Sequence, residues 1–167
     1  MRRAAAVALV LLAAACGPMG GVRSGASLCA LVPKAEAEAA LGAPPREAVA
    51  EKNSDHLQCA WTAAGDGAPR EMTAILWREE ALRRKDANLS GALYFEDALR
   101  ALEKDFPRTR VLGGVGDAAV YGFGDIGDDA FTGGIIVRKR GDVLSMRISG
   151  ADPAAFEAAA RLIAAKM

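Results

Sequence analysis

The apolar run at residues 4–15, preceded by Met1-Arg2-Arg3 and closed by Cys16, decides how much of this chain is free to fold. It contains only Ala, Val and Leu, and its 12 residues are too few for a bilayer span, which takes about 20. A charged start, an apolar stretch of this length and the small residues Ala13-Ala14-Ala15 together describe an export signal. Residues 1–16 are therefore expected to stand apart from the fold. Setting them aside leaves 151 of 167 residues, the size of one domain.

A cysteine directly after the small residues resembles the lipobox of bacterial lipoproteins. Those signals usually carry Leu three residues before the cysteine, where this chain has Ala13, with Leu12 one residue further back. The alternative is an ordinary signal-peptidase site at Ala13-x-Ala15, which would leave Cys16 as a free N-terminal thiol. The lipobox reading makes Cys16 the lipid-attachment residue, carrying acyl groups such as palmitate. Burial contributes about 0.8 kcal/mol per methylene, so two or three chains anchor stably where one binds marginally. The resemblance implies a membrane partner through the lipid anchor and an extracytoplasmic place in the cell envelope. Gly17 in place of Asp points to the outer membrane where the cell has one.

The whole chain balances 21 basic against 21 acidic residues, and removing Arg2 and Arg3 with the signal leaves 19 against 21, a net charge of −2. Without a basic excess or stripe, nucleic acid is excluded as an expected partner. Apolar residues make up 51% of the chain but aromatic ones only 5%, so the core must lean on few large side chains. Trp61, Trp77, Phe95, Phe106, Phe131 and Phe156 are the candidates. With Cys16 assigned to lipid, Cys29 and Cys59 form an even pair in an oxidising compartment, which reads as a disulfide. The rival is a metal site built on His56 and Cys59. A structural zinc ion takes four ligands, and one His with two Cys cannot supply them without a carboxylate.

Residues 17–27 are rich in Gly, Pro and Ser and read as a flexible tether. The single domain is expected over residues 28–167. A helix is expected over Lys34–Leu41, stopped by Gly42 and by Pro44-Pro45. Residues 43–55 read as loop or frayed strand. Residues 56–62 alternate, with Leu57, Cys59 and Trp61 on one side and His56, Gln58 and Ala60 on the other, solvent-facing side. Gly65-Asp66-Gly67 turns the chain into a partner strand at 71–78. One helix is expected over 81–106, with Asn88 or Ser90 capping its main part and Pro107 ending it. Strands follow near 118–123, 133–139 and 143–149, the last two joined at Arg140-Gly141-Asp142. Asp152-Pro153 starts a final helix whose buried stripe is Phe156, Ala159, Ala160, Ile163 and Met167. The expected fold is α+β: an antiparallel sheet of about five strands with two or three packed helices and one disulfide.

No arrangement carries obvious chemistry, and no enzyme, cofactor or metal is expected. Gly113-Gly114-Val115-Gly116-Asp117 lacks the following helix and Lys-Ser/Thr of a phosphate-binding loop, and reads as a turn into a strand. Asp125, Asp128 and Asp129 lack the twelve-residue calcium-loop spacing and suit a hairpin tip. His56 is the only His, and no Gly-x-Ser-x-Gly surrounds a serine. Trp61, Trp77 and Tyr121 remain as candidates for lining a ligand pocket, should the sheet be incompletely covered.

Leu28-Cys29-Ala30-Leu31-Val32, Ala39-Ala40-Leu41-Gly42, Cys59-x-Trp61 and Gly114-Val115-Gly116-Asp117-Ala118 together resemble a broad group of secreted bacterial lipoproteins of unknown function. The resemblance implies a Cys29–Cys59 pair and a Mog1/PsbP-like α+β sandwich. It implies a non-enzymatic role as well, in lipid handling or in binding other envelope proteins, and it carries no catalytic residue. Two functions are compatible with it: a tethered binding module for an envelope protein or small apolar ligand, or a structural accessory lipoprotein without its own ligand.

Overall fold

A computed structural model describes residues 27–46, 48–52, 55–64, 69–127 and 130–167, with no side-chain description for residues 125–130. The signal, residues 17–26 of the tether, the turn glycines Gly65 and Gly67 and the acids Asp128 and Asp129 lie outside these residues.

The chain opens with a 3-10 turn, Leu28–Leu31, capped by the Ser27 hydroxyl accepting from the Cys29 amide at 3.2 Å. Helix α1 spans Lys34–Leu41 and ends at Gly42, whose φ of 72° is the left-handed value a glycine reaches without steric cost. Strands β1 (Val49–Lys52), β2 (His56–Ala63) and β3 (Arg70–Trp77) follow. Next come helices α2 (Glu79–Lys85) and α3 (Gly91–Asp105). Strands β4 (Arg108–Val111), β5 (Ala118–Gly127), β6 (Ala130–Lys139) and β7 (Asp142–Gly150) then lead to helix α4 (Pro153–Lys166).

The strands form one antiparallel sheet in the order β1-β2-β3-β7-β6-β5-β4. Among the described residues the fold is α+β with seven strands, not about five, and four α-helices, not two or three. The two additional strands, β1 and β4, are the sheet edges. Each has four residues, all exposed, so neither carries the buried alternation that marks a strand in sequence. The extra helix arises because the segment expected as one helix over 81–106 breaks after Lys85. The Asp86 carboxylate accepts from the Asn88 amide at 2.9 Å, a local turn that competes with helix continuation. The chain then restarts at Ser90, whose hydroxyl accepts from the Leu93 amide.

Register separates the two faces. Trp61↔Met72↔Ile148↔Gly133↔Phe123 and Cys59↔Ala74↔Met146↔Ile135↔Tyr121 line one face. The 3-10 turn, α1 and α4 cover it, packing Leu28, Leu41, Phe156 and Ile163 into the larger core. The opposite face carries Trp77, Val143, Ile136 and Val120 and is covered in part by α3 through Phe95, Leu102 and Phe106. Gly122 and Gly134 lie beneath that helix, and a Cβ on either would come within 3.0 Å of a Phe106 side-chain carbon, so the close approach depends on glycine. The expected stripe of α4 is buried, Met167 included. Asp152 caps this helix by accepting from the Ala154 and Ala155 amides at 2.8 and 3.2 Å.

Candidate functional site

Cys29 and Cys59 form a disulfide with Cα atoms 5.3 Å apart, joining the N-terminal turn to the centre of β2. Cys59 is fully buried. The alternation of β2 puts Cys59 on the face that the 3-10 turn covers, which brings the two sulfurs together. His56 is on the other face and shares no site with Cys59. It is half-buried, not solvent-facing as its alternation suggested, because its ring stacks at 4.6 Å on Trp77 of the neighbouring strand. Among the described residues no group of three or more His, Cys, Asp and Glu side chains converges as a metal site.

The three aromatic candidates line no common pocket among the described residues. Trp61 and Tyr121 share a face but sit on β2 and β5, four strand spacings or about 19 Å apart. Trp77 lies on the opposite face, between His56 and Tyr94, with the Lys85 ammonium 4.8 Å from its ring centre. Tyr121 is packed among Phe123, Phe156 and the Arg110 guanidinium. It is 2% exposed, and its hydroxyl has no hydrogen-bond partner among the described residues. Burial pushes its pKa up to about 12, with Arg110 drawing it down and Glu157 and Asp152 adding to the rise.

Of the three, Trp61 borders a groove among the described residues. It contributes one edge to a cleft of about 450 Å³ walled by Cys29, Val32, Pro45 and Ala48, with Lys34 and Arg46 in its lining. The disulfide forms part of this wall, so the link that holds the N-terminal turn on the sheet also shapes the cleft. Apolar walls with two cations among them suit an amphiphilic group: an apolar body and an anionic end.

A second groove, of about 520 Å³, was not apparent in the sequence. The glycine turn Gly114-Val115-Gly116, Asp117, Lys139, Arg140 and Arg161 line it. The glycine segment is a turn into β5, with Gly114 and Gly116 at φ 71° and 60°. Arg140 was legible as part of a hairpin, but Arg161 reaches this groove only through the packing of α4 on the sheet. Its guanidinium donates to the Gly113 carbonyl and to Glu157, which also pairs with Arg110. Burial works against the Glu157 carboxylate, but the hydrogen bond from Arg161 and the charge of Arg110 outweigh it and hold its pKa below the ordinary range.

Compared with known proteins, the chain matches no protein family, no curated protein and no solved structure. Among the described residues no helix is long and apolar enough to cross a membrane.

Proposed function

We propose that this chain is a membrane-tethered lipoprotein of the extracytoplasmic cell envelope, anchored through Cys16. It acts as a non-enzymatic binding module for an envelope protein or a small apolar ligand. The observation that carries the reading is the Cys29–Cys59 disulfide beside the Trp61 cleft. Structural disulfides persist in oxidising compartments, which agrees with the export signal and with assigning the remaining cysteine to lipid. The bridge also joins the first and third pieces of the sequence frame that resembles secreted lipoproteins.

Of the three aromatic candidates, Trp61 is the one we assign to ligand contact. Trp61 is itself 3% exposed and packed in the core, as Tyr121 is, but it is the candidate that lines the cleft with the apolar walls. A photo-crosslinking residue at Ala48, introduced in intact cells, tests this. An adduct to one protein or lipid is expected from Ala48, with none from Leu93, which is 49% exposed on α3 across the sheet. Equal labelling at both positions, or none at Ala48, would remove the cleft as the binding site.

A further inference from the structure

We propose that the groove between the Gly114–Gly116 turn, the β6–β7 hairpin and the C-terminal end of α4 binds a phosphate or phosphoester group. Its lining brings together three cations, Lys139, Arg140 and Arg161, against one carboxylate, Asp117. Among the described residues neither Lys139 nor the Arg140 guanidinium has a carboxylate partner. Lys139 instead donates to the Ala164 and Ala165 carbonyls at 2.7 and 3.3 Å, which fixes its ammonium at the groove without neutralising it. Asp117 accepts from the Arg140 backbone amide at 2.6 Å, and its own amide donates to the Arg138 carbonyl at 2.8 Å. The one acid in the lining therefore ties the hairpin to the glycine turn.

The backbone supplies an independent observation. Arg140 has φ 53°, the one positive value among the described non-glycine residues, and Gly141 follows at 85°. A two-residue hairpin with both φ values positive favours Asn-Gly or Gly-Gly, and an arginine there is strained. Hairpin geometry gives no reason for a long cation at this position. The groove offers one, because the strained residue is part of its lining, beside Lys139 and Asp117. Arg161 is already paired with Glu157, and phosphate fits the remaining two cations, Lys139 and Arg140, better than a neutral ligand would, since burying a neutral group would leave their charges uncompensated.

Arg140→Gly separates this role from a structural one. Glycine relieves the backbone strain while deleting the charge, so the variant is expected to unfold at a higher temperature and yet bind phosphate about tenfold more weakly. Arg140→Asn, which also tolerates the left-handed region, is expected to weaken binding by the same factor. Titration of inorganic phosphate into the full chain carrying Cys16→Ser, with the disulfide intact, reads the free anion by amide chemical shifts. Sedimentation with phosphatidylglycerol and with phosphatidylcholine vesicles reads a lipid headgroup, and the leader's own bilayer affinity cancels between Arg140 variants. Loss of binding in both arms identifies the shared phosphate chemistry with a lipid source, and loss in the first arm alone identifies a soluble phosphoester. Binding unchanged by Arg140→Gly and Arg140→Asn, or no binding of the parent chain in either arm, overturns the proposal.

Discussion

Removing the Cys29–Cys59 bridge perturbs the fold at the point where its smallest elements are attached. The bridge spans 30 positions, and closing a loop of that size removes unfolded-chain entropy equivalent to about 3.7 kcal/mol at 25 °C. Helix α1 has eight residues, too short to be stable unpacked, and the turn before it has four. Their attachment buries Leu28, Val32, Ala37, Ala40 and Leu41. In the double variant Cys29→Ala/Cys59→Ala the void left by the buried Cys59 sulfur adds on the order of 1 kcal/mol. Urea unfolding followed by tryptophan fluorescence separates the contributions. Reduction of the unaltered protein is expected to cost about 3–4 kcal/mol and the double variant about 1 kcal/mol more. The denaturant slope should rise in both, because the freed chain exposes more surface on unfolding. A loss below about 1 kcal/mol with an unchanged slope would refute loop closure as the source of the stabilisation.

Three other perturbations read different parts of the structure. Gly134→Ala drives a Cβ into the Leu102 and Phe106 side chains, which must shift at an expected cost of about 1–3 kcal/mol in thermal or urea unfolding, and no loss would show that the close approach does not need glycine. Tyr121→Phe removes a buried hydroxyl that lacks a partner among the described residues, and stability is expected to stay level or rise by up to about 1 kcal/mol, whereas a loss would reveal a bonded hydroxyl. In the parent chain the raised Tyr121 pKa means that this group's stabilisation is fully present below its unfolded value of 10.0 and is lost as pH climbs through about 12. Absorbance of the folded protein at alkaline pH should accordingly show late tyrosinate formation, and ordinary titration near pH 10 would contradict it. Glu157 has a lowered pKa, so its contribution is present above the unfolded carboxylate value and disappears as pH falls through the folded one. Glu157→Gln should therefore flatten the acid limb of the stability profile by about 0.5 kcal/mol, and an unchanged limb would show that the arginines do not hold the carboxylate.

Elements with a strong local signal were legible in the sequence. The Gly42 stop of α1, the Ser90 and Asp152 caps and the alternation of β2 and β7 each follow from chemistry within a few residues. The edge strands were not, because all of their residues are exposed and their pairing partners supply what defines them. His56 shows the same limit: period-two alternation assigns a face but does not reveal that Trp77 will cover it. The pocket candidates failed to converge for a related reason. Composition identified Trp61, Trp77 and Tyr121, yet strand order and register put them on two faces and at distant strands. Cations from β6, its turn and α4 meet only after the sheet and helix pack, so their groove leaves no trace in local sequence.

The lipid anchor on Cys16 is the claim on which localisation and function both depend. Intact mass spectrometry of the mature protein from membranes of its native cells, with and without Cys16→Ser, tests it most directly. The expected result is an N-terminus at Cys16 carrying acyl chains, with acylation and membrane fractionation both lost in the serine variant. A mature chain beginning elsewhere, an unmodified Cys16, or acylation that survives Cys16→Ser would contradict it.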